Sequence, residues 1–173
     1  KDLEINYKSV LSVFISISCL IAIIISPSTY FIGDINGNFS GSKAIAEYIK
    51  NQLKDQYELV DFGTHSADSV DYADFVHPAA KAVENGDCEF GILFCGSGQG
   101  VQLTANKHLG IRCALAWMPE IAALSRGHNN CNMVALPARF IAKELAQEII
   151  EKFLTTDFEG GRHQNRVDKI TCK

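Results

Sequence analysis

The sequence predicts a three-layer α/β/α sandwich built around a five-stranded parallel sheet. Short, almost continuously apolar stretches alternate with longer segments of helical periodicity, and glycine-rich or polar turns follow the apolar stretches. Strands that are apolar at nearly every position are buried on both faces, and helices between them allow neighbouring strands to run parallel. A chain of 173 residues is long enough for one sizeable domain. Its ligand is expected outside the carboxyl ends of the strands.

Each strand is predicted from an apolar stretch, and each helix from apolar residues that recur every three or four positions. A polar loop, Asp34–Ser42, separates the first strand from the first helix, and Pro119 is expected to begin the fourth helix. The predicted strands are Thr29–Gly33, Tyr57–Gly63, Phe90–Phe94, Arg112–Trp117 and Met133–Leu136. The predicted helices are Lys43–Leu53, Asp71–Asn85, Val101–His108, the segment from Pro119 to about Arg126, and Ile141–Leu154.

The apolar segment Val10–Ser26 does not fit this alternation simply. It is almost uncharged and precedes Pro27, so it is compatible with the apolar part of a signal peptide or an anchor. A buried strand-helix element and an erroneous extension of the gene are the other interpretations. We expect residues 1–28 to be an apolar leader of uncertain status and residues 29–173 to form the functional domain.

Charge and cysteine content exclude several classes of protein. The net charge of -4 is opposite to that of a nucleic-acid binder, which needs clustered lysine and arginine. The six cysteines are dispersed without a C-x-x-C pair, which argues against both a disulfide scaffold and a zinc site. We expect free thiols in a reducing, cytoplasmic compartment and no metal, although Val10–Ser26 leaves a secreted or anchored form open.

The segment from Phe90 to Gly100 contains the strongest chemical signal. An apolar strand ends at Cys95, and a glycine-rich turn leads into a helix. The amino end of a helix has unpaired N–H groups and partial positive charge, so it favours a thiolate and can hold an anion. A dinucleotide-binding site of a Rossmann-like domain is an alternative, but the three glycines lack the G-x-G-x-x-G spacing. Polar residues near Ser125–Asn130 and Glu159–Arg166 are expected at the same edge of the sheet.

Seven short motifs, in this order and spacing, resemble type B ribose-5-phosphate isomerases, a group related to the galactose-6-phosphate isomerase subunits. Each motif alone is weak, but together they extend over more than a hundred residues. The motifs are Asp61–His65, Ser69–Tyr72, Cys95–Gly100, Ala105–Lys107, Gly110–Arg112, Ser125–Asn129 and Glu159–Arg166. The resemblance implies a Rossmann-like fold and an aldose–ketose isomerase of a phosphorylated sugar that needs no metal or organic cofactor.

The resemblance also implies catalytic roles. Cys95 matches the base that moves a proton between C2 and C1 of the sugar through an enediolate. Ser97 and the backbone N–H groups of Gly96–Val101 match the pocket for the oxyanion. His128, with Asn129 beside it, matches the acid and base that opens the furanose ring. The family builds its site across a dimer interface, so a homodimer or a dimer of dimers is implied. The net charge argues against a nucleic-acid partner, and a membrane partner is not expected.

The substrate-binding residues follow from the same resemblance. Arg162 and Arg166 match the phosphate clamp, and two arginines four positions apart lie on one face of a helix. Arg112 is implied to line the same pocket, Tyr72 to lie near the sugar, and Asp34 to lie near its ring oxygen. The glycine loop contributes further contacts through Gly96, Gly98, Gln99 and Gly100.

The sequence departs from the family pattern at two positions. Ile35 stands where the family has a histidine, and an isoleucine side chain neither donates a hydrogen bond nor carries charge. Val101 stands where some members have a catalytic glutamate, which leaves Cys95 as the candidate base. The leading hypothesis is a ribose 5-phosphate isomerase. The alternatives are an isomerase of hexose 6-phosphates, such as galactose or allose 6-phosphate, and a catalytically weak sugar-phosphate-binding protein.

Overall fold

The computed structural model describes residues 20–25, 40–63 and 71–170. The strands in these ranges are β1 (Leu20–Ile25), β2 (Glu58–Leu59), β3 (Phe90–Cys95), β4 (Cys113–Leu115) and β5 (Met133–Pro137). The helices are α1 (Ser40–Leu53), α2 (Tyr72–Glu84), α3 (Gln99–Ala105), α4 (Pro119–Asn129), α5 (Lys143–Thr155) and α6 (Arg162–Val167). All strand pairs are parallel, in the spatial order β2-β1-β3-β5-β4. The prediction of an α/β domain with a parallel sheet is confirmed.

The first strand among the described residues lies in the apolar segment that precedes the predicted first strand. β1 lies between β2 and β3 and pairs with both, with Ile21 opposite Phe90 and Ile25 opposite Phe94. The predicted first strand, Thr29–Gly33, is outside the described residues. Leu20–Ile25 belongs to the apolar segment Val10–Ser26, and the structure shows these six residues as a strand. For the rest of residues 1–28 the division of the chain stays a prediction.

β3 separates the two halves of the hydrophobic core. Its side chains point alternately to opposite faces of the sheet, as in any strand. Phe90, Ile92 and Phe94 contact the cluster formed with α1, α4 and α5. Leu93 and Cys95 contact the second cluster, formed with α2 and α3. Because both faces are covered, all six residues of β3 are buried, and this explains its continuously apolar sequence.

α5 illustrates how helical periodicity builds the outer layers. Its buried residues recur every three or four positions, which places them on one face of the helix. The ring of Phe153 meets the ring of Phe90 edge to face, with centroids 5.6 Å apart and planes at 77°. Within the described ranges, no helix is both long enough and apolar enough to cross a lipid bilayer.

Candidate active site

Cys95 is the last residue of β3 and is 7% exposed. Its carbonyl oxygen accepts a 2.8 Å hydrogen bond from the backbone N–H of Ala138. The carbonyl of Gly96 accepts a 3.1 Å bond from the backbone N–H of Arg139. These bonds tie the chain that leaves β3 to the chain that leaves β5. The thiol is therefore held at the edge of the sheet where parallel α/β domains bind their ligands.

The glycine loop after Cys95 packs too closely against its surroundings to accept side chains. Gly98 has a φ of +74°, and a Cβ at this residue would overlap Cδ1 of Leu115. A Cβ on Gly100 would lie 2.6 Å from Cζ and 2.8 Å from the hydroxyl oxygen of Tyr72. The aromatic ring of Tyr72 thus packs directly on the loop backbone. The structure thus brings Tyr72 and the loop together.

The amino end of α3 presents polar groups beside Cys95. Ser97 and Gln99 are exposed, and the Ser97 Oγ accepts a 3.4 Å hydrogen bond from the backbone N–H of Gln99. The N–H groups of a first helical turn have no partner within the helix and carry partial positive charge, so they can stabilise a developing oxyanion. Val101 is fully buried against α2. Between Cys95 and Val101 the chain has no side chain that ionises, so Cys95 is the candidate base of this segment.

Arg139 lies at the same edge, although none of the sequence motifs contains it. A Cβ on Gly96 would lie 3.2 Å from Nε of Arg139 and 3.4 Å from its Cδ, so the arginine side chain lies over the glycine loop. It has this position because Pro137, two residues earlier, is opposite Cys95 in the sheet. The sequence signal for Arg139 was its place among the residues that follow the predicted strand Met133–Leu136, at the carboxyl ends of the strands.

The imidazole of His128 belongs to a second group of polar residues, at the carboxyl end of α4. Its Nε2 lies 3.4 Å from Oε1 of Glu159, and its side chain is 36% exposed. The ring stacks on that of His163, with centroids 4.2 Å apart and planes inclined by 9°. Asn129 is the last residue of α4 and is exposed. The motifs around His128 and Glu159 therefore meet in space.

Cys95 and His128 lie at opposite edges of the sheet within one chain. α4 follows β4 and precedes β5, so it begins at the carboxyl edge and ends at the amino edge. The guanidinium carbon of Arg126 lies 4.7 Å from the ring centroid of Phe90, the first residue of β3. From Phe90 to Cys95 a strand extends about 16 Å. The expectation that Ser125–Asn130 and the carboxyl-terminal basic segment share an edge with Cys95 is therefore wrong for a single chain.

Arg112 lies at the amino edge as well, immediately before β4. Its Nε donates to the carbonyl oxygens of Asn129 and Asn130 at 3.0 Å each, and its Nη2 donates to Asn130 at 2.8 Å. The carbonyl groups at the end of a helix lack partners within the helix and carry partial negative charge. The structure thus assigns Arg112 a role in holding the end of α4, whereas the resemblance implied contact with the substrate.

Arg162 and Arg166 lie in α6, close to the His128 group. The Nε of Arg162 donates to Nε2 of His163 over 3.4 Å, and both arginines are exposed. Burial lowers the pKa of His163, and the nearby His128 and Arg162 act in the same direction. This edge therefore combines imidazole and guanidinium groups that suit an anion such as phosphate.

His128, Glu159 and His163 are the one group of described residues whose side chains can offer three metal ligands, with ligand atoms within 4.8 Å of one another. The two rings are nearly parallel, so the in-plane lone pairs of their nitrogens do not converge on one point. Arg162 also places positive charge beside them. The arrangement therefore suits hydrogen bonding better than tetrahedral coordination of a cation.

A groove of about 450 Å³ between α1 and α5 is separate from both groups. Its described lining contains no thiol, imidazole or guanidinium. Several of its lining side chains are amides and carboxylates, including Gln52, Gln147, Glu148 and Glu151. Because it lacks the thiol and the imidazole that the implied reaction uses, this groove is not a candidate for that reaction.

Residues 35–170 match the model of the Ribose/Galactose Isomerase family. The chain belongs to this family. Ribose-5-phosphate isomerase B of Escherichia coli strain K12 is 40% identical over 126 residues, which are 73% of this chain and 85% of the relative. Membership makes the chain a sugar-phosphate isomerase.

Solved structures of the family agree with the fold. The ribose 5-phosphate isomerase of Thermotoga maritima has a TM-score of 0.76 and 38% identity, covering 88% of this chain and 97% of its own. Ribose-5-phosphate isomerase B of Mycoplasma genitalium, with bound ribulose-5-phosphate, has a TM-score of 0.76 and 36% identity, covering 89% of this chain and 95% of its own.

For an isomerase of this family, the described residues include all predicted site residues except one. Asp34 lies outside the described ranges, as does Ile35, the position where the family pattern has a histidine. Sequence motifs alone did not assign roles to Arg139 or Glu159, which the structure adds to the two groups. Cys88, Cys113 and Cys131 are buried free thiols away from the glycine loop.

Proposed function

We propose that the chain interconverts ribose 5-phosphate and ribulose 5-phosphate, with Cys95 as the base. The observation that carries this proposal is the thiol at the end of β3, next to the exposed amino end of α3. The names of its relatives in Escherichia coli and Thermotoga maritima, and the ribulose-5-phosphate bound to the Mycoplasma genitalium protein, support the substrate.

The complete domain is proposed to be a cytoplasmic three-layer sandwich with five parallel strands.

In the proposed reaction, His128 first opens the furanose ring. It takes the proton of the anomeric hydroxyl, the bond from C1 to the ring oxygen breaks, and the ring oxygen takes a proton as the C1 carbonyl forms. The thiolate of Cys95 then removes the proton from C2, and the negative charge moves to the oxygen on C1. Return of that proton to C1, with transfer of the proton on the C2 oxygen to the negatively charged C1 oxygen, yields the ketose. Substrate and product are isomers, so no oxidant or cofactor enters.

The loop and the arginines would stabilise the charges of this reaction. Ser97 and the N–H groups beginning at Gly96 would bind the enediolate, where fixed donors contribute several kcal/mol. Arg162 and Arg166 would bind the phosphate through charge-assisted hydrogen bonds. Arg139, which lies over the glycine loop, is proposed as an additional substrate ligand on the Cys95 side.

The complete site is proposed to form between two subunits. Cys95 and His128 lie at opposite edges of the sheet in one chain, so a substrate can contact both only if a second chain supplies one of them. Large apolar side chains, Trp117, Met118 and Phe140, are exposed on the segments that follow β4 and β5. Exposed apolar side chains of this size favour contact with another protein surface.

Steady-state kinetics with ribose 5-phosphate test the chemistry. Cys95→Ala should lower kcat by at least about 100-fold, because general base catalysis typically contributes that much. Cys88→Ala is the matched control, since Cys88 is also a buried free thiol but lies away from the loop, and it should retain turnover. Full activity of Cys95→Ala would overturn the assignment of the base.

Mixing two inactive variants tests the shared site. In a mixture of Cys95→Ala and His128→Ala subunits, mixed dimers contain one site with both native residues. Random exchange of subunits of a symmetric dimer should restore about a quarter of wild-type turnover. Absence of any recovery, after mass spectrometry has shown exchange, would mean that both residues act within one subunit.

The same assays decide between the alternative functions. Turnover of galactose 6-phosphate or allose 6-phosphate above that of ribose 5-phosphate would favour a hexose phosphate isomerase, a choice that the family description leaves open. Binding of these sugars without turnover would favour a sugar-phosphate-binding protein. Ile35 motivates the last comparison, and Ile35→His should then raise activity.

A further inference from the structure

The carboxylate of Glu159 contacts both imidazoles of the His128 group. Oε1 lies 3.4 Å from Nε2 of His128, and Oε2 lies 3.5 Å from Nε2 of His163. The side chain of His163 is 4% exposed, so one ring is buried beneath the other. None of the roles implied by the family resemblance uses this carboxylate.

The backbone fixes the position of Glu159 although its side chain is 60% exposed. Its N–H donates a 3.0 Å hydrogen bond to the carbonyl of Gly127, the residue before His128. A Cβ on Gly127 would lie 3.2 Å from Oε1 of Glu159, so the carboxylate rests against the backbone of α4. Gly160 and Gly161, with φ of +64° and +53°, then turn the chain into α6.

The two histidines differ in the partners available to them. Nε2 of His163 accepts the hydrogen bond of Arg162, so this nitrogen carries a lone pair and no proton. Burial lowers the pKa of His163, which keeps the ring uncharged and avoids two stacked positive charges. The remaining donor for the carboxylate is Nε2 of His128. Arg162 and Arg166 are the other charged groups acting on the buried ring.

We propose that Glu159 is a positioning residue that holds His128 in the tautomer with hydrogen on Nε2, while the stacked ring of His163 fixes its plane. In a neutral imidazole a proton on one nitrogen leaves a lone pair on the other. Nδ1 of His128 is therefore the atom that exchanges a proton with the sugar. The role of Nδ1 in ring opening rests on the proposed function. The assignment of the tautomer rests only on the contacts of His128 and is independent of that function.

The proton transfer is balanced within this arrangement. Nδ1 takes the proton of the anomeric hydroxyl, and the imidazolium keeps its hydrogen on Nε2, which lies 3.4 Å from the carboxylate of Glu159. The same proton then passes from Nδ1 to the ring oxygen as the carbon–oxygen bond breaks. Glu159 does not accept the proton, and its negative charge stabilises the imidazolium between the two transfers, as in a carboxylate–histidine pair of hydrolases.

The tautomer can be observed directly by ¹H–¹⁵N NMR of the imidazole nitrogens of His128 in the full chain. We expect the Nε2–H form in the wild type and in Glu159→Gln, because an amide oxygen in the same place can also accept a hydrogen bond from Nε2. Glu159→Ala should give a mixture of both tautomers. Glu148→Gln, an exposed glutamate on α5, is the matched control and should change nothing.

Kinetics provide the second readout. Glu159→Ala should lower kcat for ribose 5-phosphate by about tenfold or more while KM stays within about twofold, because the interaction acts in the transition state. Glu159→Gln should recover part of that loss. An unchanged tautomer and unchanged kcat in Glu159→Ala would overturn the proposal. If the wild type lacks isomerase activity, the proposed function fails, and the NMR result alone still decides the role of Glu159.

Discussion

Replacing Gly98 by alanine should destabilise the protein more than the same replacement of Gly86. Both glycines have left-handed backbone angles, with φ of +74° and +80°. An alanine in this conformation costs about 1 kcal/mol at either residue. They differ in space, because a Cβ on Gly98 would overlap Leu115 and lie 3.4 Å from the backbone of Leu136, whereas nothing lies within 4 Å of one on Gly86.

The difference between the two variants isolates the steric cost. Overpacking a buried position costs about 1–3 kcal/mol, so Gly98→Ala should lose about 2–4 kcal/mol in total. With a urea dependence of about 2 kcal/mol per molar, the unfolding midpoint should fall by about 1–2 M for Gly98→Ala and about 0.5 M for Gly86→Ala.

Urea unfolding monitored by circular dichroism measures both midpoints, at one protein concentration because association shifts apparent stability. Turnover of ribose 5-phosphate should also fall in Gly98→Ala, since its loop carries the proposed oxyanion donors. Equal midpoints for the two variants would refute the conclusion that the loop is packed tightly against β4 and β5.

Two further predictions concern side chains that bridge elements. Asn106→Ala should cost about 1–3 kcal/mol in urea unfolding, because the amide both accepts from the N–H and donates to the carbonyl of Cys113, each at 2.8 Å. Glu84→Gln should lose stability at neutral pH, because the Gly110 N–H and His108 lower the pKa of the native carboxylate from its ordinary value. A lowered carboxyl pKa stabilises the fold above the unfolded value, so thermal unfolding should show the difference from wild type vanishing as the pH falls below the folded pKa.

The sequence predicted those elements whose patterns have one physical explanation. β3 and β5 were found within one residue of their observed ends because short apolar runs between polar turns fit buried parallel strands. Leu20–Ile25 was not predicted as a strand because it lies inside a longer uncharged run. A strand with neighbours on both sides has the same composition as the apolar part of a signal peptide. Composition alone does not separate these two structures.

The residues of the candidate site were also predicted only in part. The Cys95 loop was predicted correctly because a glycine-rich turn must follow a strand and precede a helix in this fold. His128 was assigned to the wrong edge because its motif was located by sequence order without following the direction of α4. The hydrogen bonds of Arg112 could not be predicted, since every helix ends in carbonyl groups without partners and no sequence pattern shows which side chain binds them.

The two hydrogen bonds of Asn106 also affect the outer edge of the sheet at β4. β4 is the last strand in the order, and the N–H and C=O of Cys113 point away from β5, toward the open side. The side-chain amide of Asn106 satisfies both groups, much as a residue of another strand would. Gln102 adds a 3.2 Å hydrogen bond to the same carbonyl.

An unprotected outer strand is a template on which another chain can extend the sheet, and such growth leads to aggregates. Here two amides from α3 and the turn after it already occupy the first outward-facing residue of β4. An incoming strand would have to displace them before it could pair there. The motif Ala105–Lys107, which helped to identify the family, therefore also opposes the pairing of a strand from another chain with β4.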